Sequence, residues 1–212
     1  ICDTYGADTL RIYEMFLGPI EQDKPWNTAG ISGVHNFLKK FWRLFHQNEQ
    51  WLVNDEVPSP ESLKILHQVI KKITDDIERL SFNTCVSTFM IGVNKLTALK
   101  CSNRAVLEPL LILLSPFAPH FCEELWQQLG YSESIEFEPF PVFDPSMVQE
   151  TTKEYPVSFN GKMRFTIKLS LDMGVEEIKE AIMREQRTLD QIDGANPKKI
   201  IVVHGKIINI VF

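Results

Sequence analysis

Long apolar runs are missing from this chain of 212 residues: the longest, such as Leu110–Leu114, fall far short of the roughly 18 to 20 residues that cross a bilayer. No charged, apolar and small-residue leader opens the sequence, so a soluble, cytoplasmic protein with no membrane partner is expected. Cysteine is sparse, and Cys2, Cys85, Cys101 and Cys122 stand far apart with no C-x-x-C pair. That spacing indicates neither a disulfide framework nor a structural zinc site, and reduced thiols are expected. Glycine-rich phosphate loops, G-x-S-x-G elbows and H-E-x-x-H pairs are absent, so no self-contained active site is visible. A surplus of positive charge is lacking too: the formal net charge is -6, which argues against a whole surface attractive to nucleic acid.

The charge is uneven along the chain. Residues 1–154 carry 13 Lys and Arg against 21 Asp and Glu, net -8, whereas residues 155–212 carry 9 against 7, net +2. The hydrophobic fraction of 44% is ordinary for a globular protein, and the length suits one large domain or two small ones. The opening residues "ICDTYGADTLR" lack an initiator methionine and begin inside a motif, which indicates a piece of a longer polypeptide.

Helical spacing dominates residues 1–130. Asp8 is placed to cap a short helix reaching Phe16, with Gly18 and Pro19 as its stop. Ile31, Val34, Leu38, Phe41, Trp42 and Phe45 recur at three and four, which predicts an amphipathic helix over 29–47. Ser59 and Pro60 supply an N-cap and a first-turn proline for a third helix carrying Leu63, Leu66, Val69, Ile70, Ile73, Ile77 and Leu80. Asn83 is the expected cap of a fourth, with Val86, Phe89, Met90, Val93 and Leu96 inward, and a fifth begins near Asn103. Five such helices joined by short loops predict an antiparallel bundle.

Pro139, Pro141 and Pro145 then predict an extended connector over 131–154. Beyond it "EYPVSF" and "KMRFTIKLSL" alternate around Asn160-Gly161, the pair suited to a two-residue type I′ turn. Val175, Ile178, Ala181, Ile182 and Leu189 are spaced for a helix, and "KKIIVV" and "KIINIVF" flank His204-Gly205 as a second hairpin. The expected fold is therefore mainly α: an antiparallel helical bundle over 1–130, the connector, and a small α+β domain of β-β-α-β-β order over 155–212.

His120, Cys122, Glu123 and Glu124 form the densest group of candidate ligands or acid-base residues, and His120 and Glu124 share a helical face. Pro119 sits where a first helical residue belongs, however, and acids in a first turn complement the helix dipole. Capping and packing is the preferred reading, and no third ligand at recognisable spacing supports a metal. Lys39, Lys40 and Arg43 lie opposite the apolar face of the second helix, as a solvated face or a ridge for phosphates. Lys162, Arg164 and Lys206 sit at or near hairpin ends, where they either protect strand edges or, if gathered at one end of a sheet, contact RNA.

The stretch "LLSPFAPHFCEELWQQLG" resembles the segment that closes the helical anticodon-binding domain in class I aminoacyl-tRNA synthetases for leucine, isoleucine, valine and methionine. "YGADTLRIYEMFLGP", followed by "KPWNTAGISGVHNFLKKFWRL", is similar to the stretch after the K-M-S-K-S loop in the leucine-specific branch. "VSFNGKMRFTIKL" with "KKIIVVHGKIINIVF" resembles the C-terminal domain of the bacterial leucine enzymes. The blocks span nearly the whole chain in the family's order. The zinc module common at the end of isoleucine enzymes and the basic coiled coil of valine enzymes are not in this composition. The chain departs from the family pattern at Asn36, where Arg is usual; at Phe165 and Thr166, where Gly and Lys usually follow; and at His204, where Pro is common.

The resemblance implies the C-terminal, tRNA-binding portion of a leucine-specific ligase whose complete form uses ATP and Mg to charge tRNA(Leu). Its adenylate-forming and editing elements lie outside these residues, so the isolated piece is expected to be inactive and to hold no cofactor. Lys162, Arg164 and Lys206 are implied to touch the backbone or elbow of tRNA(Leu), with Lys39, Lys40 and Arg43 as a second set. The catalytic domain of the same polypeptide is the other implied partner. Two alternatives stay open: an anticodon-binding fragment of an isoleucine, valine or methionine enzyme, and a non-catalytic helical scaffold for protein contacts.

Overall fold

The helical periods of the sequence become α1 (Cys2–Tyr5), α2 (Ala7–Phe16), α3 (Ile31–Phe45), α4 (Pro60–Glu78), α5 (Phe82–Ala98), α6 (Arg104–Leu114) and α7 (Pro119–Gln128), with a small β1–β2 hairpin (His46–Gln47, Gln50–Trp51) after α3. The computed structural model describes residues 1–149, 152–192 and 197–212 and divides into two units, Ile1–Val148 and Gln149–Phe212.

In the first unit the C-terminal half of α6 is apolar all round: the run from Leu110 to Leu114 is buried, as are Val106 and Leu107, while Arg104, Ala105 and Glu108 mark an outer side in its first turns. A segment with no polar face belongs inside the bundle. At roughly 1.5 to 3 kcal/mol per buried side chain, α6 contributes on the order of 10 to 20 kcal/mol before chain entropy is charged against it. Pro109 stands within this helix and leaves the carbonyl of Ala105 without its amide partner, but Ala105 is exposed, so water can serve it.

The neighbouring helices supply one-sided stripes. Phe41, Phe45, Ile73, Val86, Phe89, Val93 and Leu96 are fully buried, as their spacing requires. Ser59 caps α4, its Oγ accepting from Ser62 N–H at 3.1 Å, with Pro60 in the first turn. Where α4 passes α5 the helices nearly touch: a Cβ added to Gly92 would lie 2.8 Å from Val69 Cγ2. The turn between them is held by Asp76, which is buried and accepts from Lys72 and from Thr84 Oγ1.

Three local expectations change. Asp8 does not cap its own helix, whose N-cap is Gly6; it caps α7 instead, Oδ2 accepting from Phe121 N–H at 2.6 Å. Asn83 lies inside α5, which starts after Ser81. Leu80 is not core: it takes the left-handed conformation (φ 55°) that ends α4, and it is exposed.

The proline-rich stretch after Gly130, expected to be extended, instead carries two 3-10 turns, Ile135–Phe137 and Pro145–Val148, and is pinned to the bundle. Tyr131 stacks on Trp126 with ring centres 3.9 Å apart, Ile135 is buried, and Asp144 N–H donates to His67 Nδ1 at 3.2 Å. Residues 150 and 151 of the expected connector lie outside the described residues.

The second unit is a four-stranded sheet of β3 (Thr152–Phe159), β4 (Lys162–Ser170), β5 (Lys199–Val203) and β6 (Ile207–Val211), in the order β4-β3-β6-β5. The two hairpins are antiparallel, and they are joined at the centre by a parallel β3–β6 pair. Tyr155, Val157, Phe159, Ile208 and Ile210 form its core with Ile178 and Ile182. The single helix expected over 175–189 is two, α8 (Val175–Arg184) and α9 (Gln186–Ile192). Glu185 between them is extended (ψ 126°), which resets the helical phase: Thr188 and Ile192 turn inward and Leu189 is left exposed.

Alanine substitutions at two glycines should separate packing from propensity in urea or thermal unfolding. Gly33 has open space around its missing Cβ, so Gly33→Ala should stabilise by up to about 1 kcal/mol. Gly92→Ala should lower stability by about 1 kcal/mol, because the clash with the rotamer-restricted Val69 outweighs the same gain.

Candidate nucleic-acid interface

Cations in the second unit divide by element. Those on the helices are spent locally: Lys179 pairs with Glu176, Arg184 with Glu180 and Arg187 with Glu185. Arg187 also donates to the carbonyl of Thr166 and lies 4.6 Å from the Phe165 ring centre, tying α9 to β4. Those on strands and turns, namely Lys153, Lys162, Arg164, Lys168, Lys198, Lys199 and Lys206, have no side-chain partner among the described residues. Exposed pairs contribute under about 1 kcal/mol each, so this division concerns where charge is available rather than stability. Lys153, Lys168, Lys198 and Lys199 were not singled out by the sequence reading. Strand alternation was the signal for Lys168 and Lys199, because it sends both to the sheet face with Ile201 and Val203.

The Asn160-Gly161 turn has positive φ at both residues, 48° and 79°, the type I′ geometry. It is fastened to β6 by reciprocal side chains: Asn209 Oδ1 accepts from Gly161 N–H and Asn160 Oδ1 from Phe212 N–H, both at 3.0 Å. Lys162 and Arg164 therefore stand on a rigid tip. The other turn holds three residues rather than two, since Val203 pairs with Ile207, and Gly205 N–H donates to the buried Tyr155 hydroxyl at 2.9 Å.

Because β3 and β6 are parallel, the turn after β3 and the turn before β6 lie at opposite ends of that pair. In its register Lys206 falls level with Tyr155 and Lys162 with Phe159, so their backbones are roughly 13 Å apart along the strands. The three cations thus do not gather at one end of the sheet. They form two separate points on it.

In the first unit the three α3 cations also part. Lys39 is exposed at the rim of an aromatic cavity of about 430 Å³ lined by Tyr5, His35, Trp42, His120 and Phe121. Lys40 is half-buried and donates to Asn94 Oδ1 at 2.6 Å, linking α3 to α5. Arg43 lines a different cavity of about 540 Å³, of mixed polar and apolar lining, together with Lys100.

A family profile described as the anticodon-binding domain of tRNA ligase matches residues 61–180, more than half of the chain. The chain belongs to that family. Curated relatives agree across its whole length: it is 62% identical over 211 residues to a leucine-tRNA ligase of Christiangramia forsetii and 60% identical to one of Flavobacterium johnsoniae, covering 100% of this chain and 22% of each relative. The chain thus spans about a fifth of the length of those relatives. Among solved structures it is similar to a LeuRS of Agrobacterium radiobacter K84 crystallised as a ternary complex with tRNA and LeuAMS, with TM-score 0.63 and 28% identity over 99% of this chain and 29% of that one.

In this chain the His120 cluster serves as joinery. His120 Nδ1 stands 3.0 Å from Asp8 Oδ1, so α2 holds the start of α7 through both the ring and the Phe121 amide. Glu123 accepts from Ser134 Oγ and Ile135 N–H at 3.0 and 3.1 Å, clamping the start of the 3-10 turn that follows α7, and Glu124 accepts from Gln128. No group of three His, Cys, Asp or Glu among the described residues is arranged to hold a metal ion. No helix among the described residues is long and apolar enough to cross a membrane.

The buried thiols are unsuited to nucleophilic work. Burial pushes the Cys122 thiol well above its ordinary value, and burial with the nearby Asp76 carboxylate pushes Cys85 to about 11. At pH 8 a thiol reagent should modify exposed Cys2 rapidly while Cys85 and Cys122 wait for unfolding; rapid reaction of all four would contradict this packing. Asp8→Ala should cost about 1 to 2 kcal/mol in unfolding measurements by uncapping α7, whereas His120→Ala should cost less, because the side chain of His120 is largely exposed.

Proposed function

We propose that this chain is the tRNA-holding C-terminal part of a leucine-tRNA ligase, with tRNA(Leu) and the catalytic part of the same polypeptide as its partners. The observation that carries the reading is identity of 60% or more to bacterial leucine-tRNA ligases across the entire chain. In this reading the bundle is the anticodon-binding-type domain, the α+β unit is a second tRNA contact, and ATP and Mg act in the part of the ligase beyond these residues. This chain's residues then bind and orient rather than react.

Transfer RNA is a rigid L, so binding energy gathered at its outer corner and along its body can aim the acceptor end at a distant active site. Folded RNA offers phosphates and 2′-hydroxyls rather than readable base edges, which suits partnerless cations on a stiff sheet. Lys162 and Arg164 on one tip and Lys206 at the other would meet different phosphates. Their contributions should therefore add.

In the intact ligase, Lys162→Ala, Arg164→Ala and Lys206→Ala should each lower kcat/KM for tRNA charging about fivefold, equivalent to about 1 kcal/mol, with leucine-dependent pyrophosphate exchange unchanged. The triple variant should lose roughly the product. Unchanged charging in the triple variant would reject the reading of these cations.

A scaffold role for the bundle is favoured by one observation, an apolar cavity of about 260 Å³ lined by Met15, Ile77, Phe82, Pro116, Phe117 and Phe140. Deleting residues 155–212 from the ligase separates the readings: a loss of tRNA affinity supports tRNA holding, and unchanged affinity supports the scaffold.

A further inference from the structure

We propose that the cavity where the ends of α3 and α5 meet seats one phosphodiester of an RNA backbone between Arg43 and Lys100; this rests on the reading of the chain as a tRNA-holding part. The cavity measures about 540 Å³, and besides the two cations its lining offers Gln47, Asn48, Thr97 and Ser102, with no carboxylate. That lining stands out in a chain region whose net charge is -8. Elsewhere in the unit Lys71, Lys72 and Arg104 are neutralised by Asp75, Asp76 and Asp55. Arg43 and Lys100 have no side-chain partner among the described residues.

The donors suit a tetrahedral anion. Arg43 brings a planar fork that matches two phosphate oxygens, and Lys100 brings a point charge from the facing element. Ser102 Oγ accepts from Asn54 Nδ2 at 2.9 Å, which leaves its own hydrogen free to donate. Asn48, in the left-handed conformation at the β1–β2 turn (φ 49°), adds an amide at the rim.

The opposing effect is the helix dipole. The carbonyl ends of α3 and α5 point toward this cavity, and each carries about half a negative charge. Two full positive charges exceed that total of about one. Backbone donors reduce the opposing field further, since His46 N–H donates to Trp42 O, Leu52 N–H to Phe45 O at 2.8 Å and Cys101 N–H to Leu96 O at 3.0 Å. The two side chains thus keep positive charge to spare over the helix ends; Glu49, next to Asn48 in the turn, does not line the cavity.

The ordinary alternative is that Arg43 and Lys100 merely complement those helix ends. Lys100 allows a clean separation, because it sits at a left-handed C-cap position (φ 52°) where glycine is favoured. Lys100→Gly should leave the melting temperature unchanged or raise it, while RNA binding weakens. A purely structural lysine would show the reverse.

The experiment uses the intact ligase with Arg43→Gln, Lys100→Gln, Lys100→Gly and the double glutamine variant, measuring tRNA affinity across a salt series. Because one phosphate is seated, the double variant should lower the slope of log affinity against log salt by about 0.7 to 0.9, and each single variant by no more than that. An unchanged slope in the double variant, with the slope still lowered by Lys162→Ala, overturns the cavity assignment and leaves the tRNA reading standing. A parent enzyme with no salt-dependent tRNA affinity overturns both. Inorganic phosphate at matched ionic strength is the third arm: protection of Lys100 from an amine reagent by phosphate, with tRNA slopes unchanged, would make this a free-anion site and overturn the RNA assignment.

Discussion

Burial of the C-terminal half of α6 on every side is the constraint from which the bundle follows, because Leu110 to Leu114 place apolar side chains all around the circumference and must be surrounded. The amphipathic helices α3, α4 and α5 each have one stripe to hide, and their partly polar backs stay outside. The close pass of Gly92 against Val69 shows how tightly that enclosure is drawn. Prolines at the ends of α6 and α7 set where the chain turns, and the turn is secured from elsewhere, by Asp8 on α2. One carboxylate thereby links the start of the bundle to its last helix.

A comparable constraint organises the second unit. Parallel pairing of β3 with β6 brings the two hairpins into a single sheet while sending their turns to opposite ends. The same pairing puts Asn209 within reach of the Gly161 amide and Asn160 within reach of the Phe212 amide, so the type I′ tip is braced by β6. Cations on the helices are neutralised by neighbours two to four residues away, whereas those on strands and turns have no ion-pair partner among the described residues. The electrostatic character of this unit is a consequence of its topology.

Much was legible from local pattern. The α3 stripe, the Ser59 cap with Pro60, the proline restart at Pro119 and the Asn160-Gly161 turn all depend on interactions within a few residues, and they form where the sequence places them. The misplaced details depend on distant partners. Asp8 has the chemistry of a cap, but whether it serves its own helix or α7 is decided by how α2 packs. Leu80 fits the stripe of α4 by spacing, yet the turn into α5 requires it to end the helix. Glu185 carries no breaking signal, and the division between α8 and α9 follows from fitting Ile182 and Ile192 to the same core.

The candidate interface shows the same boundary. The sequence by itself determined the helical and strand periods, the turn chemistry and the excess of cations after residue 155, because each is set by side-chain type and near-neighbour spacing. Only the tertiary structure decided that Lys162 and Lys206 stand apart, that Lys40 is tied to Asn94, and that Arg43 meets Lys100 across a cavity. Strand order and helix packing juxtapose residues tens of positions apart, and no local propensity encodes which distant pairs will meet.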